Sequence, residues 1–245
     1  MKQLDIAPLE RLQSFLEAVD TGDLVIRCTL AAYSLRLEGL DKKLSKSLED
    51  EVFASSSPLE LARSPVGPLS ESGSRKTLVS MILVLNSVYP DYDFTLLRSS
   101  NFERQASLAV VEEAVDAHLI DVSKVWENTP GYAEEEPFID ALWRVLDEAT
   151  GLNDCDIFTY KDPEPFEEAE GSLWSMNYFF VNRKEKQVLF LAATGISKSA
   201  IENSDTTYAR YNDGDNDDEA ESNSSDEFNE NDVVANSFAN EMEDL

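Results

Sequence analysis

Residues 173–182 and 187–193 form two runs that are apolar at both parities. Trp174, Met176, Tyr178 and Phe180 alternate with Phe179 and Val181, and Arg183-Lys184-Glu185-Lys186 separates the two runs. Successive side chains of a strand point to opposite faces. A hairpin built from these runs therefore has no face to offer to water, and it needs helices on both sides. This requirement selects an α+β fold: a mainly antiparallel β-sheet flanked by helices on both faces.

The helices to cover it are present in the sequence. Residues 7–19 carry Leu9, Leu12, Phe15, Leu16 and Val19 on one stripe, which Thr21-Gly22-Asp23 ends. Residues 74–89 include LVSMILVL, apolar nearly all round, with Ser74 as the predicted cap and Pro90 as the stop. Residues 107–126 place Leu108, Val111, Ala114, Val115 and Leu119 on one stripe. Residues 136–149 do the same with Phe138, Leu142, Val145 and Leu146, and Gly151 closes them.

Two further strands are expected. Residues 155–160 form a short one. In residues 24–37, Ile26, Cys28 and Leu30 share one parity and Tyr33, Leu35 and Leu37 the other, which predicts a bulge near Ala31-Ala32. A lone strand cannot satisfy its own backbone, so this one must join the hairpin's sheet. Residues 49–73 are rich in Ser and Pro and read as a flexible linker. The predicted organisation is an N-terminal block of helix, strand and basic segment (1–48), the linker (49–73), a main block completing the same single domain (74–202) and a disordered acidic tail (203–245).

Charge narrows the function classes. The chain carries 49 acidic and 20 basic residues, for a net charge of −29. Residues 203–245 hold 14 of the acidic side chains and one basic one, Arg210, so the remaining residues are acidic too. Nucleic-acid binders need clustered Lys and Arg to replace phosphate counterions, so direct nucleic-acid binding is not expected. One histidine and two cysteines leave no zinc spacing. No phosphate-cradling glycine loop or nucleophile elbow occurs. DGDNDDEAE (213–221) lacks the glycine at position 6 and the glutamate at position 12 that a calcium loop requires. No cofactor, metal or catalytic residue is assigned. The first 19 residues lack a signal-peptide core, and no apolar run approaches the ~20 residues of a membrane helix. The expected location is the nucleus and cytoplasm, with no membrane partner.

Three blocks carry a resemblance: residues 1–48, ending YSLRLEGLDKKLSKSL; SRKTLVSMILVLNSVYPDYDF (74–94); and GSLWSMNYFFVNRKEKQVLF (171–190), preceded by CDIFTYKDPEPF. In content and order they resemble the Maf-type repressors of RNA polymerase III, which are unrelated to the leucine-zipper factors of similar name. Three features depart from the pattern. The linker is shorter than in fungal relatives, the acidic loop reads DPEPFEEAEG instead of a DPFG-type string, and Ala192-Ala193-Thr194-Gly195 stands where animal relatives tend to carry Cys and Arg. The resemblance implies a non-enzymatic repressor of tRNA and other small-RNA genes. Such a repressor binds the polymerase clamp region and blocks recruitment to promoter-bound initiation factor. Kinases and a phosphatase then control polymerase binding and nuclear retention.

Candidate sites follow from charge and accessibility. Lys42-Lys43-Leu44-Ser45 suits a basophilic kinase, and a phosphate on Ser45 would add about −1.5 to −2 charge beside Lys42 and Lys43. Ser57-Pro58 and Ser64-Pro65 suit proline-directed kinases, and Ser224 an acidophilic one. The expected polymerase-contacting residues are Arg36, Asp41, Lys42 and Lys43 in the first block. In the third they are Asp162 to Glu170 in the acidic loop and Arg183, Lys184 and Lys186 at the hairpin tip. Trp174, Tyr178 and Phe180 are read as core. The rival class is an acidic chaperone or scaffold that binds histones or other basic proteins through residues 203–245.

Overall fold

The computed structural model describes residues 1–36, 39–132, 136–162, 164–165 and 171–201. In chain order the elements are β1 (Lys2–Gln3), α1 (Ala7–Leu16), β2 (Val19–Asp20), β3 (Leu24–Ser34), α2 (Gly39–Ser55), α3 (Pro58–Ala62), α4 (Ser72–Val88), β4 (Phe102–Arg104), α5 (Leu108–Leu119), α6 (Val122–Asn128), α7 (Phe138–Thr150), β5 (Asp156–Tyr160), β6 (Ser172–Asn182) and β7 (Gln187–Ser197). The strands form one antiparallel sheet in the order β1-β3-β7-β6-β5-β4, with β2 also paired to β3.

The hairpin is β6–β7, and it lies in the middle of the sheet. β3 pairs with β7 over its whole length, from Leu24 opposite Ser197 to Ser34 opposite Gln187. The N-terminal block is thus welded into the sheet by an eleven-residue ladder.

Alternation along the strands divides the core in two. Ile26, Cys28, Leu30, Phe180, Leu189 and Leu191 face a layer made from α1, α5, α6 and α7. Ala31, Tyr33, Phe179, Val181, Val188 and Phe190 face α4, with Leu48 and Val52 of α2 beside it. Phe179, Phe180, Val188, Leu189 and Phe190 are fully or almost fully buried, so the hairpin is covered on both sides as its sequence demands.

The strand over residues 24–34 has no bulge. Its register with β7 is unbroken. Arg27 is exposed while Leu30 to Tyr33 are buried without interruption. The apparent parity switch marks the point where a second helical layer begins to cover the strand. The bulge in the sheet lies between Ser172 and Trp174.

Residues 49–73 are not a flexible linker. α2 runs to Ser55, and Ser57 caps α3. The Ser57 Oγ accepts from the Glu60 N–H at 3.3 Å, and the Glu60 carboxylate accepts from the Ser57 N–H at 3.0 Å. The Ser57 N–H, together with the Ser57 hydroxyl that donates to the same carboxylate oxygen at 2.9 Å, holds the Glu60 carboxyl below its ordinary range. Ser followed by Pro is here a helix start. Leu48, Val52, Val66 and Leu69 are all buried against the second core.

Two smaller expectations also shift. α4 begins at Ser72 behind Glu71, so Ser74 is a buried residue inside the helix and not its cap. The helix expected over 107–126 is two helices, α5 and α6, with Ser107 capping the first through the Val110 N–H. The turn between them lets Val122 and Trp126 reach the core from a second direction. Gly151 ends α7 with φ +69°, a left-handed conformation that a side chain disfavours.

Gly195 serves a different purpose. It lies opposite Trp174, and a Cβ there would come within 2.3 Å of the indole. The missing side chain lets Trp174 lie across β7. On its other side Trp174 meets the His118 ring at 4.7 Å. The single histidine is thus a packing residue whose Nδ1 lies 2.7 Å from the Ala114 carbonyl.

Candidate functional site

Six of the 20 basic residues converge on one cleft of about 640 Å³. Arg36 follows β3. Lys42 and Lys46 stand one turn apart on α2, with Ser45 between them and Glu49 a turn further on. Lys76 lies on α4, and Arg183 and Lys186 come from the β6–β7 tip. Positions 42, 45, 46 and 49 are spaced i, i+3, i+4 and i+7, the repeat that places side chains on one helix face. Ser72 and Gly73, in the first turn of α4, also line the cleft.

Backbone geometry fixes the hairpin's contribution. Lys186 adopts a left-handed conformation with φ +57°, which costs a non-glycine residue roughly 1–2 kcal/mol. Its carbonyl accepts the Leu35 N–H at 2.8 Å, so the tip is tied to the chain just before Arg36. The Asn182 Oδ1 accepts the N–H groups of Lys184 and Glu185, both at 3.0 Å, which shapes the turn from inside.

The sequence-predicted residues divide into three groups. Arg36, Lys42, Ser45, Arg183 and Lys186 come together in the cleft. Others stand elsewhere. Lys43 is exposed and is not among the cleft residues, because one step along a helix turns a side chain by about 100°. Lys184 is drawn to Asp154 at 2.5 Å, while Arg183 lies 3.4 Å from Asp156. Ser57 caps α3, Ser64 donates to the Gly67 carbonyl at 2.5 Å, and Asp162 is exposed beside Lys161. The third group lies outside the described residues: Glu170, Ser224, the acidic tail, and the side chain of Asp41, whose backbone belongs to α2. Lys46 and Lys76 were not anticipated.

Neither cysteine supports chemistry. Burial pushes the Cys28 thiol up to about 12. Burial, followed by the carboxylates of Asp154, Asp156 and Asp147, pushes Cys155 to about 12 as well. Among the described residues no cluster of His, Cys, Asp and Glu is arranged to hold a metal ion.

The family model for the Maf1 regulator matches residues 26–192, from near the start of β3 to the middle of β7, and so includes all six cations of the cleft. The chain belongs to the Maf1 family. A Dictyostelium discoideum protein named repressor of RNA polymerase III transcription is 31% identical, over 84% of this chain and 88% of its own length. A Schizosaccharomyces pombe Maf1 of the same description is 31% identical, over 81% and 84%. The crystal structure of citrus MAF1 superposes with a TM-score of 0.61 at 30% identity, covering 78% of this chain and all of that one. The Maf1 fold is therefore this antiparallel sheet between two helical layers, and the six basic residues of the cleft lie inside the matched region.

Proposed function

We propose that this chain represses transcription by RNA polymerase III through direct binding to the polymerase, and that phosphorylation at Ser45 weakens that binding. The carrying observation is family membership over nearly the whole folded part, with relatives that bear the repressor's name. The proposed contact is the polymerase clamp region, and the proposed consequence is failed recruitment to promoter-bound initiation factor. No step of this activity requires catalysis by the chain.

The cleft supports the phosphorylation reading. Ser45 is 8% exposed and sits between Lys42 and Lys46 on the cleft face. A kinase needs the first turns of α2 to open before it reaches the hydroxyl. Once attached, the phosphate brings about −1.5 to −2 charge into a cationic surface and inverts its local field. Phosphorylation then also shifts the protein from nucleus to cytoplasm.

A purified polymerase III system transcribing a tRNA gene tests the proposal. Wild-type protein is expected to inhibit, and Ser45→Asp is expected to need roughly three- to tenfold more protein, equivalent to about 0.7–1.4 kcal/mol of lost binding. If saturating wild-type protein leaves transcription unchanged and does not co-purify with the polymerase, the reading is wrong. Removing residues 203–245 separates it from a chaperone acting through an acidic tail. The repressor keeps polymerase binding, whereas the chaperone loses its basic partners.

A further inference from the structure

We propose that the cleft is a binding site for a compact, multiply phosphorylated small molecule, such as a phosphorylated polyol or a short polyphosphate. The inference is independent of polymerase binding and starts from the charge distribution. Acidic residues outnumber basic ones by 49 to 20. Yet six cations line this cleft, and Glu49 is the one carboxylate among its described lining residues.

Five of the six cleft cations are unpaired among the described residues. Arg98, Arg104, Lys124, Arg144, Lys184 and Lys198 each hold a carboxylate within 4 Å. Arg36, Lys42, Lys46, Lys76 and Lys186 form no such pair with any described residue, whereas Arg183 shares Asp156, at 3.4 Å, with Arg104. Like charges gathered in a concave space repel one another and focus a positive potential. A polyanion relieves that repulsion, whereas a neutral ligand does not.

Uncharged donors complete the site. Ser72 and Gly73 are the first two residues of the seventeen-residue α4, and its N-cap Glu71 makes no side-chain capping bond. The opening N–H groups of a helix have no partner within it, and they favour phosphate oxygens. A Cβ on Gly73 would meet nothing within 4 Å, so the approach to that turn is open. Ser45 lines the same space.

Size and lining select the ligand class. About 640 Å³ falls in the range of small-molecule pockets. One phosphate would engage two or three of the cations and leave the rest unrelieved. No aromatic side chain is among the described lining residues, so none of them can stack a nucleobase. A long nucleic acid would meet the acidic surface beyond the rim.

Calorimetric titration of the full chain at about 0.15 M salt tests this, where a lone surface charge pair is largely screened. The probes are inositol hexakisphosphate and tripolyphosphate, compared with ATP and sulfate. Saturable one-to-one binding of a polyphosphate probe is expected. At a hundredfold excess over Kd, Tm should rise by roughly 5–10 °C. The double variant Lys46→Glu/Lys76→Glu should lose at least tenfold in affinity. Lys43→Glu/Lys161→Glu, with the same charge change outside the cleft, should lose less than threefold. An unchanged Tm without ligand in both variants confirms that the fold is kept. If the soluble probes do not bind but phosphoinositide-containing vesicles do, and phosphatidylserine vesicles do not, the source is a lipid headgroup and the site stands. The proposal fails if no probe binds, if both double variants lose affinity equally, or if ATP binds far more tightly than tripolyphosphate.

Discussion

Phe190→Ala is expected to lower the free energy of unfolding by about 3–5 kcal/mol, the range for truncating a fully buried aromatic. Phe190 is 0% exposed on β7, opposite Ala31 of β3 on one side and Phe179 of β6 on the other. Its ring lies 4.7 Å from that of Phe179, and the Tyr89 ring meets it edge-on at 6.4 Å. Truncation leaves a cavity under α4. Three strands of one continuous ladder surround it, so the backbone cannot collapse inward without breaking pairs. Urea denaturation followed by circular dichroism measures the effect as a lower midpoint at unchanged slope. Leu59→Ala is the control, because Leu59 is 72% exposed on α3 and should change stability by less than about 0.5 kcal/mol. A loss below about 1.5 kcal/mol at Phe190 would show that the two helical layers do not clamp the hairpin as described.

The parts of this fold that sequence reasoning reached are those with strong local patterns. The β6–β7 hairpin, α4 and α7 each carry enough periodic apolar residues to set their own face. That the strand over residues 24–37 joins the hairpin's sheet also followed, because an isolated strand must find a partner, although which strand it pairs with did not. β1, β2 and β4 were beyond reach. They are two or three residues long, too short for any period, and exist only because a neighbouring edge accepts them. Residues 49–73 were misread because Ser and Pro mark both disorder and helix starts. Ser57 with Pro58 is the second case, and only its contacts reveal it.

The cleft was legible in pieces. Lys42, Ser45, Arg183 and Lys186 were singled out from charge alone, 138 residues or more separating the hairpin pair from the α2 pair. What brings them together is the β3–β7 ladder, which sets Ser34 beside Gln187 and so Arg36 beside the hairpin tip. Lys46 had a readable signal in the 42, 45, 46, 49 spacing. That spacing matters only if residues 39–55 are helical, whereas the sequence reads there as a basic segment followed by a linker. Lys76 had none, since it is a cation at the start of a helix recognised for its apolar content. Lys43 shows the converse: adjacent to Lys42 in sequence, it faces away.

Asn182→Ala is expected to cost about 2–4 kcal/mol and to disable the cleft at the same time, from the loss of three hydrogen bonds and the groups left unpaired. Asn182 is 1% exposed. Its Nδ2 donates to the Thr150 carbonyl at 2.7 Å, at the C-terminus of α7. Its Oδ1 accepts the N–H groups of Lys184 and Glu185, both at 3.0 Å. One amide therefore bolts the first helical layer to the hairpin tip and holds the turn that presents Arg183 and Lys186. Alanine removes all three bonds and leaves the Thr150 carbonyl without its side-chain donor. Asn182→Asp is the sharper test, because it keeps the shape and the one oxygen that accepts both N–H groups of the turn. It replaces the donor with an oxygen facing the Thr150 carbonyl and buries a charge, so it should destabilise at least as much as alanine. Urea midpoints for both variants measure the cost, and polyphosphate titration reads the geometry of the tip. Should Asn182→Asp match wild type in stability, the turn's two N–H bonds alone set the hairpin, and the bridge to α7 carries none of it.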